Sequence, residues 1–216
     1  MISILLNSGP IVFIVVFLSL VLVIAIHEFA HAFAANRLGD PTPKLQGRLT
    51  LNPLAHLDLL GTLLLILVGF GWGKPVMFDP YNLKNPRRDA ALISLAGPAS
   101  NLLFAILSAV LFRVSLGAFI STSIVFAILS FIIYFNLLLA FFNLIPIHPL
   151  DGGKIFIGFL PASEAKDADI FLKRYGLIIL LFLIFPIFGG RSPIFVVISP
   201  ILNVLMGILI PGNPII

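Results

Sequence analysis

The chain has 216 residues, 60% of them hydrophobic and only 10% charged, with a formal net charge of +4 and a mean hydropathy of +1.16. Soluble domains carry about a quarter charged residues, so this composition excludes a soluble globular domain and points to a polytopic membrane protein. Cysteine is absent, which excludes disulfides, thiolate metal ligands and a cysteine nucleophile.

Residues 1–10 carry no Lys or Arg, and the apolar run from Ile11 is longer than a signal-peptide core, so no secretory signal is expected. Ile11 to Ala35 predicts a first spanning helix that Gly39 and Pro41 terminate. Residues 41–58 are polar and turn-rich, and partial alternation from Lys44 to Leu51 predicts a short strand or hairpin. The segment 59–73, LLGTLLLILVGFGWG, is apolar but shorter than the roughly 20 residues a spanning helix needs. Positive clusters flank it on both sides: Arg37, Lys44 and Arg48 before, Lys74, Lys84, Arg87 and Arg88 after. A crossing would leave one cluster outside, against the positive-inside rule, so the segment reads as re-entrant or packed among the helices. Ala90 to Leu116, interrupted by AGPASN, and Ala118 to Ile147 are the next long apolar runs. A polar stretch from His148 through EAKDAD follows, then shorter apolar segments at about 175–188 and 194–210.

The expected fold is an all-α polytopic membrane protein with about five to six transmembrane helices, a small membrane-associated β-hairpin or sheet region and a re-entrant segment. One membrane-embedded domain over residues 1–216 is expected, with a core at about 11–160 and a C-terminal helical hairpin at about 170–211. Loop charges orient the N-terminus outside and place 36–88 and 148–174 on the cytoplasmic side.

The stretch IHEFAH holds His27, Glu28 and His31 inside the first apolar helix. The two histidines are four apart, so they share one helical face and can grip one Zn²⁺. Glu28, about 100° around the helix, reaches a water on the metal without ligating, as the general base of this pattern does. With four His and two Glu in the chain, chance produces the pattern in roughly one such chain in a thousand. Ionisable groups in a membrane helix are costly and usually functional.

A catalytic zinc needs a third protein ligand and an open position. His56, Asp58, His148, Asp151 and the acids at 164–169 are the candidates. Asp151 stands out in NLIPIHPLDGG, where Pro146 and Pro149 prevent a regular helix and Gly152 and Gly153 are expected to let the backbone turn sharply. With 59–73 not crossing, two crossings separate His31 from Asp151, and both face the cytoplasmic side. Charge placement and the metal requirement thus select the same topology. Two neutral imidazoles, one carboxylate and Zn²⁺ sum to +1, which costs less to bury than the separated charges.

HEFAH, AGPASN with Gly97, Pro98 and Asn101, and NLIPIHPLDGG resemble the site-2 protease family of intramembrane zinc metalloproteases, in order and spacing across about 20–160. RLTLNPLAHLDLLGT and NLKNPRRDAALISLAGPASN resemble its compact prokaryotic members, which lack PDZ or CBS domains. The resemblance implies one Zn²⁺ per chain held by His27, His31 and Asp151, Glu28 as base, and Asn143 helping to stabilise the oxyanion. It further implies a multi-pass protein of the plasma membrane that cleaves transmembrane segments of other proteins in regulated intramembrane proteolysis. The partners expected are membrane-spanning substrates and the bilayer, with no nucleic acid. The strand-like region 41–58 or KPVMFD would offer an edge to an extended substrate. His148 is expected to be a solvated loop residue, and His56 and Asp58 interfacial structural residues.

The alternative function is a ZIP-like membrane zinc transporter, which also carries H-E-x-x-H in a membrane helix. Such a transporter would place further His, Asp or Glu along other spans, whereas the acids here cluster at or beyond one face. A haem-binding bundle is disfavoured, because His27 and His31 on one face cannot bind opposite faces of one haem.

Overall fold

The computed structural model describes residues 1–69, 71–117, 123–186, 190 and 192–210. Eight helices follow one another among them: α1 (Ile2–Arg37), α2 (Thr42–Leu45), α3 (Leu59–Val68), α4 (Pro86–Gly117), α5 (Ser123–Asn143), α6 (Asp151–Phe159), α7 (Ala162–Ile184) and α8 (Pro193–Leu209). Three stretches are long and apolar enough to cross a membrane: Ile4–Arg37, Pro86–Leu116 and Ile124–Asn143. The apolar helices α3 and α8 are shorter, so the described residues do not reach the five to six spans expected by that measure.

α4 is the central helix and packs against α1, α5 and α6. Its other end joins α5 and α8 around Ala105, Ile133, Leu137, Ile198 and Met206, all buried. The AGPASN stretch does not interrupt it, for α4 runs through Pro98. Arg113 of α4 donates to the carbonyls of Ile208 and Leu209, closing the last turn of α8. α7 starts at Ala162, ahead of the polar EAKDAD, because helices do not stop where their apolar character does.

The hairpin expected in 41–58 does not form. Pro41 precedes the helical turn α2, and Asn52 caps a 3-10 turn at Pro53–Ala55 by accepting from the Leu54 amide. Pro41, Pro43 and Pro53 cannot donate to a ladder and favour a first helical turn, which defeats the weak alternation. The only β pairing among the described residues is a single antiparallel bridge between Leu57 and Gly73.

That bridge closes segment 59–73. Asp58 caps α3 by accepting from the Gly61 amide at 2.8 Å. The ten residues of α3 rise about 15 Å, half the hydrocarbon thickness of about 30 Å. Gly69 then adopts the left-handed conformation (φ 86°), and Gly71 and Trp72 lie against Gly61 and Leu65 of α3. A Cβ on Gly61 would lie 2.2 Å from the Trp72 carbonyl oxygen, and one on Gly71 would lie 2.1 Å from that of Gly61. Both legs of the excursion therefore touch along glycines. It ends where it began, with the Lys74 amide donating to the His56 carbonyl at 2.7 Å.

Candidate active site

Four elements converge on one small cavity of about 120 Å³: α1, the irregular segment after Gly73, α4, and the loop from α5 into α6. α1 contributes His27, Glu28 and His31; α6 contributes Asp151, its first residue. His27 Nε2 and His31 Nε2 lie 3.0 Å apart, and Asp151 Oδ2 lies 3.1 and 3.2 Å from them. Both histidines are buried and Asp151 is nearly so.

The far side of each imidazole decides what these three atoms are. His31 Nδ1 donates to the Ile93 carbonyl at 2.7 Å, and His27 Nδ1 donates to Asn101 Oδ1 at 2.6 Å. Each neutral ring then presents a lone pair at Nε2. Three electron-pair donors face one another in a buried space, an arrangement that repels itself unless a cation or proton sits between them. Tetrahedral zinc with bonds of about 2.0–2.1 Å places its donors about 3.3 Å apart. The spacing observed, the oxygen and nitrogen donor set and the hydrogen-bonded outer nitrogens all fit zinc.

The rings come this close because α4 gives way at Gly97. A Cβ there would lie 2.4 Å from His31 Nε2 and 2.6 Å from His27 Cε1. Asp151 reaches the pair for a related reason, though not the expected one. Gly152 and Gly153 do not take positive φ. A Cβ on Gly152 would lie 2.2 Å from the Ile145 carbonyl oxygen, so the glycine lets α6 start against the loop before it.

Glu28 lines the same cavity, half-buried, and its Oε2 accepts the Val76 amide at 2.9 Å. Val76 belongs to segment 74–79, which has no regular secondary structure and whose Pro75, Val76 and Phe78 wall the site. Asn143 also lines it, with Nδ2 donating to the Leu139 carbonyl at 3.0 Å and a second N–H left over. Lys154 completes the rim, its ammonium 4.9 Å from the centre of the Phe78 ring.

The other sequence candidates lie elsewhere. Asp58 caps α3, and His56 donates from Nε2 to the Thr50 carbonyl at 2.8 Å. His148 is not a solvated loop residue: its side chain is only 14% exposed and faces Asp169 of α7, Nε2 to Oδ1 at 3.4 Å. Asp169 also pairs with Lys173. Of the acids at 164–169, none is in the His27, His31 and Asp151 group.

Sequence reasoning missed the support behind His27. Asn101 Nδ2 donates on to Asn136 Oδ1 at 2.8 Å, and Asn136 Nδ2 donates to Ile132 O at 2.8 Å. Both asparagines are fully buried. A buried amide in the apolar span α5 was itself the signal, since polar groups at membrane depth mark function.

Comparison with known proteins gives the site its chemistry. Residues 113–186 match the model of Peptidase family M50. YwhC of Bacillus subtilis, named as a zinc metalloprotease, is 38% identical over 193 residues, 86% of this chain and 84% of that protein. The chain belongs to peptidase family M50. Rip2 of Mycolicibacterium smegmatis, also named as a zinc metalloprotease, is 33% identical over 180 residues, 80% of this chain and 67% of that protein. Rip2 of Mycobacterium tuberculosis (strain H37Rv) is 33% identical over 178 residues, with the same shares. No solved structure matches the chain. This M50 peptidase is therefore an intramembrane metalloprotease with zinc as its cofactor, as the site-2 protease resemblance implied. None of the relatives named here is a transporter.

Proposed function

We propose that His27, His31 and Asp151 hold the catalytic zinc, that Glu28 is the general base, and that the M50 chain cleaves transmembrane segments of other membrane proteins. The observation that carries this reading is the trio of mutually facing lone-pair donors, with both outer nitrogens already engaged. When bound, zinc supplies Lewis-acid polarisation of the scissile carbonyl and a lowered pKa for the attacking water. Glu28 takes the water's proton and returns it to the leaving amine. For that it exchanges the Val76 amide for water, and its place on the wall of the cavity supports the role. Asn143 turns its spare N–H toward the developing oxyanion. The burial of His27 and His31 limits how much water reaches them.

The whole chain forms one peptidase domain in the plasma membrane, with five crossings: α1, α4, α5, the apolar part of α7, and α8. Segment 59–73 dips in and returns, which the Leu57–Gly73 bridge supports. The N-terminus is then outside, and His27, His31 and Asp151 open toward the cytoplasm. Segment 74–79, free of regular structure, offers backbone to an unwound substrate. Charged substitutions at Met77 should slow cleavage while sparing zinc content.

The test pairs zinc content with cleavage of a membrane-spanning reporter in wild type and Glu28→Gln. The variant should retain zinc and lose on the order of 10²–10⁴-fold in rate. Wild-type-like cleavage by Glu28→Gln would sink the assignment of the base.

A further inference from the structure

On the far face of segment 74–77 lies a second and larger cavity, an open groove of about 710 Å³. The segment is shared between the two: Val76 and Phe78 line the active site, Lys74 and Met77 the groove, and Pro75 lines both. No Asp or Glu lines the groove, yet Arg48 and Lys74 do.

Arg48 is the unusual group. It is only 6% exposed, and its one side-chain hydrogen bond among the described residues goes to the Ala55 carbonyl. No described carboxylate pairs with it. A guanidinium carries five N–H donors, so most of them remain for whatever enters the groove. Burying such a charge is costly unless an anion meets it. The next carbonyl, that of His56, takes the Lys74 amide, so both cations flank the same turn before α3.

Beside Gln46 and Gly47, the remaining wall of the groove is apolar, from Leu54, Ala55, Leu57, Pro75 and Met77, and it is open. Leu54 is 76% exposed, Met77 61%, and α3 begins nearby with Leu59 at 89%. A soluble anion has no use for such walls; an amphiphile with an anionic head has use for both parts. We infer that this groove binds an anionic phospholipid of the surrounding bilayer, its phosphate on Arg48 and Lys74 and its acyl region along Leu54 and Met77. The lipid rests on the outer side of the strip whose Val76 amide holds Glu28, so its occupancy sets the position of that strip. This second step rests on Glu28 being the base; the binding does not.

Native mass spectrometry on the full chain in dodecyl maltoside, titrated with phosphatidylglycerol or phosphatidylcholine, reads the binding. Phosphatidylglycerol should be retained in preference. Lys74→Gln should weaken that retention about fivefold, the contribution of one interfacial cation, with zinc content unchanged. Arg48→Gln should remove the preference; where it does not fold, Lys74→Gln alone decides. Equal retention of both lipids, or phosphatidylglycerol retention indifferent to Lys74→Gln, overturns the inference. Displacement by inorganic phosphate, or by an acidic juxtamembrane peptide, reassigns the groove to a soluble anion or a peptide and also overturns it. Cleavage in phosphatidylglycerol vesicles should exceed that in phosphatidylcholine vesicles for wild type and lose that excess in Lys74→Gln; equal wild-type rates overturn the coupling. Glu28→Gln should bind phosphatidylglycerol like wild type while cleaving nothing, which separates failure of the lipid site from failure of the catalytic reading.

Discussion

Asp40 and Asp151 are two carboxylates withdrawn from water, and their neighbours differ in kind. Asp40, fully buried at the end of α1, accepts from the Thr42 amide and hydroxyl (3.0 and 2.6 Å), the Asp79 amide (2.7 Å) and Asn82 Nδ2 (2.8 Å). Every neighbour is a donor, so the protein completes that carboxylate by itself. Asp151 meets two imidazoles that spend their N–H groups elsewhere. The first carboxylate fastens a loop junction; the second belongs to a group that could hold a cation. The sign of the partners, more than depth of burial, separates a structural acid from a functional one.

The sharpest way to break this contrast is to replace each by its amide. Asp151→Asn should abolish zinc retention and reporter cleavage together. With a chelator present it should leave thermal stability unchanged or raised, since an amide N–H can donate to a facing imidazole. A variant that keeps stoichiometric zinc by elemental analysis would refute the ligand assignment. Gly97→Ala leaves every ligand in place but drives a methyl against both rings. Zinc affinity should fall by at least about tenfold in a competition titration, the scale of outer-shell disturbance. Asn101→Ala frees His27 Nδ1 and should cost about 10–100-fold in the same titration. The global unfolding midpoint should shift far less than metal affinity, a split that a merely structural asparagine would not give.

Asp40→Asn should do the reverse of Asp151→Asn. It sets an amide N–H against a ring of donors and should destabilise the fold by about 1–3 kcal/mol while zinc content per folded molecule stays at wild type. The smallest effect is on pH. Burial raises the Asp40 pKa, but the donors from Thr42, Asn82 and the amides of Asp79 and Thr42 outweigh it, holding the group below its ordinary 3.8. A depressed folded pKa gives stability that is present above 3.8 and lost as pH falls through the lower, folded value. The stability gap between wild type and Asp40→Asn should therefore narrow below pH 3.8 in acid-unfolding scans.

The grouping of His27, His31 and Asp151 was largely legible because its signal is local. His27, Glu28 and His31 lie within one helical turn and a half, and Asp151 stood out beside prolines and glycines. The turnback of 59–73 was legible from length and flanking charge. What escaped depends on distant pairings. Asp40 acquires its meaning from Asp79 and Asn82, about forty residues on. Asn136 matters only because α4 delivers Asn101 to it. The hairpin in 41–58 was misread because alternation was weighed above three prolines that cannot join a ladder. The start of α7 was misread because apolar character was taken for helix extent.

The relay from His27 through Asn101 to Asn136 joins three helices end to side chain to side chain. Each helix advances 100° per residue, so turning any one about its axis by a single position would swing its member out of reach. The three are thus locked in rotational phase. An opening that admits a substrate while keeping the relay must tilt or splay these helices as rigid rods; axial twisting would uncouple the ring proposed to hold the metal.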